Sequence, residues 1–122
     1  MNLNYEQVGE IDLEIAKKIK RQAGKIVLCE GTDMFGKKHI ELRHGKDILA
    51  HGYENIKDFV SHICENFTEI RQGENLSLIL VKENTVHEII FIRLELIEEQ
   101  EFYSIGSAGY FRDKYVKNKT LL

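Results

Sequence analysis

The hydrophobic periodicity of this chain changes at Phe67, from the repeat of an amphipathic helix to the repeat of β-strands. Before that residue, apolar side chains recur at spacings of three and four, as on a helix with one buried face; they are Ile56, Phe59, Val60, Ile63, Cys64 and Phe67. After it, strand-forming segments follow one another with gaps of turn length; they are Thr68–Gln72, Leu76–Lys82, His87–Ile97 and Phe102–Ala108. Because short gaps permit hairpins, we expect these strands to be antiparallel. The sequence therefore predicts an α+β fold in which N-terminal helices pack on a four-stranded antiparallel sheet.

The chain before this helix begins with a second helical pattern. Isoleucines recur at intervals of four residues from Ile11 to Ile19, which predicts a helix over Ile11–Ala23. Asp12 is placed to cap its first turn. Residues 1–9 are expected to be a flexible lead-in.

Two segments between these helices are less regular. Lys25–Cys29 is rich in strand-forming residues and is predicted to be a short strand or an extended segment. From His39 to His51 the apolar spacing favours a helix, but Gly45 lies in its middle and lowers the helix propensity. A short or broken helix is therefore expected there.

The same periodicities select a core. Successive side chains of a strand point to opposite faces, so alternate residues of the longest predicted strand share one face. The side chains expected to be buried together are Ile15, Ile19, Phe59, Val60, Ile63, Ile90, Ile92 and Leu94.

Length and composition predict one domain over residues 1–122. The chain has no Pro and no low-complexity stretch, so nothing marks a linker. No apolar run approaches the roughly 20 residues of a membrane helix, and the first residues lack the pattern of a signal peptide. A cytoplasmic site of action without membrane association is expected. Cys29 and Cys64 have no partner at zinc spacing and are predicted to be buried thiols.

Charge is distributed unevenly along the chain. The net charge of −3 argues against a domain that coats nucleic acid non-specifically, because such binding depends on many Lys and Arg side chains. Residues 83–101 contain six Glu and one Arg, whereas residues 112–119 contain four basic residues and one Asp. An acidic side and a basic side are expected.

The densest polar cluster, residues 37–46, contains His39, Arg43 and His44. On a helix His39 and Arg43 share one face, and His44 follows Arg43. RNA cleavage without a metal needs a base for the 2′-hydroxyl, an acid for the 5′-leaving oxygen and a cation for the pentavalent phosphorane. Two His and one Arg supply those roles. The alternatives are a solvated polar helix face and, less favoured because His-x-x-x-His spacing is missing, a metal site.

A second polar cluster lies at the end of the predicted sheet. Small residues there let a backbone approach a phosphate closely, Ser107 and Tyr110 carry hydroxyls, and Arg112 offers a bidentate fork. A glycine-rich turn that ends a strand explains the same pattern. The remaining histidines, His51, His62 and His87, are interpreted as surface residues.

An ordered set of segments carries a resemblance to a known superfamily. The segments are His39–Gly45, Gly52–Tyr53, Asp58–Val60, Asn66–Gly73, Ser77–Val81, Phe102–Tyr110 and Lys119–Leu122. Together they resemble the barnase, EndoU, colicin and RelE-like ribonucleases (the BECR fold), in particular nuclease domains of phage-encoded and polymorphic-toxin proteins. The resemblance implies N-terminal helices on a four-stranded antiparallel sheet, a site on the exposed sheet face, and no cofactor.

The resemblance also implies an activity and its residues. The activity is metal-independent endoribonuclease cleavage that leaves 2′,3′-cyclic phosphate and 5′-hydroxyl ends. The implied catalytic residues are His39, Arg43, His44, Ser107 and Tyr110, and the RNA-binding candidates are Lys38, Lys46, Arg112 and Lys117. A structured RNA such as tRNA is the implied substrate, an immunity protein or antitoxin the implied partner, and the C-terminal part of a larger effector the implied context.

A binding module without catalytic activity is the competing hypothesis. In that interpretation the acidic strand face from Glu88 to Glu101 docks on a basic partner, as in an immunity or phage accessory protein. The acidic net charge favours this alternative, whereas the paired His with Arg favours the nuclease.

Overall fold

Within the part of the chain that the structure describes, the sheet has six strands, two more than the sequence pattern predicts. The computed structural model describes residues 5–83, 87–97 and 100–122. The strands are β1 Tyr5–Ile11, β2 Gly24–Cys29, β3 Glu69–Gln72, β4 Leu78–Lys82, β5 His87–Ile97 and β6 Gln100–Phe111. The helices are α1 Leu13–Ile19, α2 Gly36–Ala50, α3 Ile56–Asn66 and α4 Asp113–Lys117, and a 3-10 turn covers Glu74–Leu76.

The sheet is mixed, in the order β1-β2-β6-β5-β4-β3. The predicted meander β3–β6 is confirmed, because each of its neighbouring pairs is antiparallel. The prediction of a wholly antiparallel, four-stranded sheet is wrong, because β2 joins β6 in parallel and β1 joins β2. The fold class is α+β, as predicted.

The prediction of a flexible lead-in is wrong for residues 5–9. Tyr5–Ile11 forms strand β1, which pairs with β2 along its length; residues 1–4 lie outside the described residues. Gly9 lets the strand pass close to α3, since a Cβ at Gly9 would lie 2.6 Å from that of Cys64. Backbone pairing and this close approach order a segment that was expected to be flexible.

The first helix is shorter than predicted. Asp12 caps it as expected, accepting a hydrogen bond from the Ile15 N–H at 2.9 Å. Ile11, however, belongs to β1, and the helix ends at Lys20, whose left-handed φ of 58° closes the last turn. The isoleucine spacing of four residues therefore spans a strand end and a helix, and Gly24 begins β2.

The two central helices are both well formed. Helix α3 begins at Ile56, where the predicted apolar pattern begins, and the Asn55 side chain caps it by accepting a hydrogen bond from the Asp58 N–H at 2.9 Å. The prediction of a short or broken α2 is wrong, since it runs without interruption over 15 residues. Gly45 is tolerated within it, and Ile40 and Ile48 on its buried face anchor it to the core.

Most of the predicted core is present. Ile19, Phe59, Val60, Ile63, Ile90 and Ile92 are buried in one cluster, and Ile15 packs against it half-buried. The expected burial of Leu94 is wrong, because its side chain is 36% exposed. Cys29 and Cys64 are free thiols that are partly, not fully, buried.

The C-terminal part of the chain covers the second face of the sheet. Val116 of α4, a helix that the sequence pattern did not predict, packs in a small separate cluster with Ile79, Val81 and Ile89. The alternative interpretation of the second polar cluster as a glycine-rich turn is wrong, because β6 continues to Phe111, opposite His87. The sheet face on which the resemblance places the site is thus partly covered.

Phe59 is fully buried and contacts Tyr53 edge-on, with ring centroids 5.1 Å apart. Replacing Phe59 with Ala should lower the free energy of unfolding by about 3 kcal/mol, through lost burial and the cavity left behind. Chemical denaturation measures this, with Leu42→Ala as the control because Leu42 is 70% exposed. A loss below about 1 kcal/mol for Phe59→Ala would contradict its place in the core.

Candidate active site

The candidate site lies where α2 packs against the C-terminal half of β6. Two glycines with positive φ, Gly31 and Gly36, turn the chain from β2 into α2. A Cβ at Gly31 would lie 2.1 Å from the Phe35 carbonyl oxygen, so only glycine fits this turn. Since β2 pairs with β6 at only two positions, the strand segment beyond Ser104 is left for α2 to cover.

His44 is the side chain that joins the two elements. It lies four residues from both Ile40 and Ile48, so it shares the buried face of α2. Its ring rests on the backbone of Gly109, where a Cβ would come within 2.7 Å of the His44 Nδ1. On its other side the ring centroid is 5.8 Å from that of Phe111. Gly109 therefore makes the space that His44 occupies.

This position lowers the pKa of His44 below its ordinary value of 6.5. Burial is the main cause, and positive charge on His39 and Arg43 adds to it, whereas Asp47 opposes the shift. The imidazole is held neutral near pH 7, in the form that accepts a proton.

His39 and Arg43 lie on the outer side of α2. The His39 Nδ1 is 2.8 Å from the Asp33 carbonyl oxygen and must donate to it, because a carbonyl only accepts. This leaves Nε2 directed away from the backbone, with a lone pair in the neutral form and a proton in the charged form. Arg43 is exposed and forms no ion pair within the described part of the chain.

Helical geometry puts Arg43 between the two histidines. At 100° per residue, Arg43 lies about 40° around the helix axis from His39, and His44 lies about 100° further in the same direction. The two histidines are therefore about 140° apart around the helix axis, one on either side of Arg43. The three side chains that the sequence singled out on α2 form a continuous arc.

Ser107 and Tyr110 fall on different faces of β6. Ser107 is half-buried and is two residues from Gly109, on the same strand face. Tyr110 faces the other side, where its ring stacks on His51 at a centroid distance of 3.9 Å. The structure thus places Ser107 on the His44 side of the strand and Tyr110 with His51, at the C-terminal end of α2.

Tyr110 belongs to a polar cluster that sequence reasoning missed. Its partner across the sheet, Glu88, is only 4% exposed and accepts a hydrogen bond from the Tyr53 hydroxyl at 2.7 Å. Lys82 donates to the other carboxylate oxygen of Glu88 at 3.0 Å. Burial, with the charges of Glu88 and Asp47, raises the pKa of Tyr110 to about 12, so this hydroxyl stays protonated at neutral pH. The sequence signal that could have located this cluster is the opposite charge of Lys82 and Glu88, which face each other across the β4–β5 hairpin.

The position of Glu88 in this cluster contradicts part of the predicted acidic docking face. Glu88 was expected to begin that face, but its carboxylate is buried and paired. Glu95 and Glu101 are exposed, whereas Glu98 and Glu99 lie outside the described residues.

His87 was interpreted as a surface residue and is instead buried. Its Nε2 lies 2.9 Å from a carboxylate oxygen of Asp113 at the start of α4. The other oxygen of Asp113 is 2.9 Å from the Lys117 Nζ. These contacts tie the beginning of β5 to the C-terminal helix.

The predicted RNA-binding residues do not share one surface. Lys38 is exposed on α2, beside His39. Lys46 lines a cleft of about 400 Å³ between α2 and the start of α3. Arg112 is exposed and directly follows Phe111, the residue against the His44 ring. Lys117 is engaged with Asp113 on α4. Lys38 and Arg112 are the two basic residues adjacent to the candidate site.

Among residues 5–83, 87–97 and 100–122, no group of three or more His, Cys, Asp or Glu side chains is positioned to hold a metal ion. Nor does any helix in that part of the chain have the length and hydrophobicity to cross a membrane.

Comparison with known proteins returned no match to a family model, to a curated protein or to a solved structure.

The contact between His44 and Gly109 can be tested by a double-mutant cycle. Gly109→Ala should lower the free energy of unfolding by about 1–3 kcal/mol, because the new methyl group overlaps the His44 ring. In a His44→Ala background the same substitution should cost clearly less. Gly106→Ala is the matched control, since its nearest neighbour would be the Phe91 carbonyl oxygen at 4.0 Å. Equal costs in both backgrounds would show that the two residues do not touch.

The lowered pKa of His44 predicts a pH dependence of stability. Below pH 6.5 the unfolded chain takes up a proton at this residue before the folded chain does. The stability that comes from a neutral His44 is therefore present above pH 6.5 and is lost as the pH falls toward the lower pKa of the folded state. Wild type should lose more stability than His44→Gln as the pH is lowered through this range, measured by urea denaturation, and the His44 ring should titrate by NMR below pH 6.5. Parallel losses in the two proteins would contradict this assignment.

Proposed function

We propose that this chain is a metal-independent endoribonuclease whose active site is the arc of His39, Arg43 and His44 on α2, beside β6. The observation that carries the proposal is the position of His44, whose ring is held neutral against Gly109 next to two groups that carry or can carry positive charge. A neutral imidazole, a cation and a second imidazole in sequence around one helix are the groups that cleavage through the 2′-hydroxyl requires.

In this mechanism His44 is the base and His39 the acid. His44 accepts the proton of the 2′-hydroxyl as that oxygen bonds to phosphorus, and the bond from phosphorus to the 5′-oxygen breaks. Protonated His39 gives its Nε2 proton to the leaving oxygen, because its Nδ1 is engaged with Asp33. Arg43 stabilises the charge of the phosphorane between them. The products are a 2′,3′-cyclic phosphate and a 5′-hydroxyl.

The neighbouring residues have supporting roles in this proposal. Ser107, on the His44 side of β6, supplies a hydroxyl for a phosphate oxygen or the ribose. Tyr110 orients the end of α2 through its stack on His51, and with its pKa raised to about 12 it does not act as a base. Lys38 and Arg112 bind the flanking phosphates.

The proposed substrate and partner are those that the resemblance to BECR-fold ribonucleases implies. We propose a structured RNA such as tRNA as substrate, a toxin that acts in the cytoplasm as biological role, and an immunity protein or antitoxin as partner. Met34, Leu42 and Leu49 agree with a protein partner, since all three apolar side chains are more than half exposed on or just before α2. The competing binding module has less support, because Glu88 is buried and paired.

The proposal predicts that His39→Ala and His44→Ala each lower the cleavage rate by roughly 10² to 10⁴, because each removes one proton transfer. Arg43→Gln should also lower it, whereas His62→Ala should have little effect. The test is incubation of the purified chain with total tRNA, followed by mapping of the RNA ends, with circular dichroism to show that each variant is folded. Cleavage should persist in excess EDTA.

Two results would overturn the mechanism. Products with 5′-phosphate ends, or activity abolished by EDTA, would falsify attack by the 2′-hydroxyl. No cleavage of any RNA, combined with tight binding to a basic protein, would favour the binding module.

A further inference from the structure

A second cleft, of about 560 Å³, lies around Tyr103. Its wall comes from the segment after α1, the 3-10 turn, β5 and β6; the lining residues are Lys20, Arg21, Gln22, Asn75, Arg93, Leu94 and Tyr103. We call it the Arg21 cleft. Tyr103 is six residues from Gly109 along β6, which corresponds to about 20 Å. The cleft is therefore separate from the candidate active site.

The wall of the Arg21 cleft contains three basic residues and no acidic one. Arg21 donates to the carbonyl oxygens of Ile19 and Lys20, at 3.2 and 3.1 Å, and to the side-chain oxygen of Gln72. All of these acceptors are neutral. Its Nε is buried and has no hydrogen-bond partner among the described residues. Arg21 is thus a fixed cation whose charge no carboxylate within that part of the chain compensates.

The other two cations also have no ion-pair partner among the described residues. Neither Lys20 nor Arg93 forms an ion pair within residues 5–83, 87–97 and 100–122. Glu101 affects the hydroxyl of Tyr103 electrostatically, but it does not line the cleft. The field inside the cleft is therefore positive.

The backbone of the cleft is held in place. Tyr103 donates a hydrogen bond to the Gln22 carbonyl oxygen at 2.7 Å, which fixes the segment after α1 to the sheet. Lys20 and Asn75, with φ of 58° and 49°, are the two non-glycine residues with positive φ in the described part of the chain, and both line the cleft. Backbone in such regions is often associated with binding sites.

We propose that the Arg21 cleft binds a phosphate group. The exposed guanidinium of Arg93 presents paired N–H donors that match phosphate oxygens, Lys20 adds a mobile ammonium, and Arg21 contributes a fixed positive charge. The side-chain amides of Gln22 and Asn75 provide further donors. The same chemistry fits a free phosphorylated compound or a phosphodiester of an RNA strand.

Inorganic phosphate is the first probe. Titration of the whole chain, followed by amide chemical shifts, should move the signals of residues 20–22 and 75 in a saturable way. Lys20→Gln and Lys20→Gln/Arg93→Gln should weaken binding by about tenfold or more, because each removes charged hydrogen bonds to the phosphate. Lys18→Gln is the matched control, because it removes one charge from exposed α1 outside the cleft. Arg21→Gln is less informative, since it also removes the hydrogen bonds that hold the segment.

A 2′-O-methyl RNA oligonucleotide, which cannot be cleaved through the 2′-oxygen, shows whether the bound phosphate group belongs to an RNA strand or to a small phosphorylated compound. If the cleft binds an RNA strand, the Lys20 and Arg93 variants should weaken RNA binding and reduce its salt slope by about 0.7 for each phosphate that is no longer neutralised. Weaker binding of phosphate alone would assign the cleft to a small phosphorylated compound. Shifts that do not saturate, or equal effects of Lys18→Gln, would overturn the proposal. Neither titration involves cleavage, so their outcome is independent of the ribonuclease proposal.

Discussion

The short parallel contact between β2 and β6 determines where α2 lies. The two strands pair only at Ile26–Tyr103 and Val27–Ser104, after which β2 ends and the chain turns at Gly31. Beyond that point, α2 takes the place that a further strand pairing would occupy, packing along β6 from Ala108 onward. Had the pairing continued, the backbone of Gly109 would face another strand, and His44 would have no site. Strand β6 thus lies in two environments, with a neighbouring strand at one end and a helix at the other.

Buried polar groups near α2 differ in whether a partner compensates their burial. His44 is desolvated without a carboxylate in contact, which lowers its pKa. On the other face, Glu88 is desolvated too, but Lys82 and Tyr53 supply a cation and a hydroxyl donor. A buried carboxylate with both oxygens engaged ties β5 to Lys82 of β4 and to Tyr53 in the segment between α2 and α3. His44 thus meets Gly109 on one face of β6, whereas the pair of Lys82 and Glu88 lies with Tyr110 on the other face.

Local features were predictable from the sequence, and contacts between distant segments were not. The caps at Asp12 and Asn55, the long α3 and the β3–β6 meander follow from residues within about a turn or a hairpin of each other. Strand β1 was missed because its ordering depends on β2 and on Cys64, far along the chain. The arc of His39, Arg43 and His44 could be read from helical geometry. That His44 meets Gly109 could not, since it depends on how β6 is positioned against α2, and the Arg21 cleft joins four segments whose register no pattern reveals.

The pairing of charges is a more useful guide to anion binding here than the net charge of −3. Some exposed cations are neutralised locally, as Lys57 is by Glu6 and Lys117 by Asp113. The basic residues at the two proposed sites form no such pairs within the described residues. Since the field near a phosphate is set mainly by charges within about 8 Å at physiological salt, an acidic chain can bind a polyanion where its cations are unpaired. Clustered cations without local partners, as at the two proposed sites, can therefore attract a phosphate although the chain as a whole is acidic.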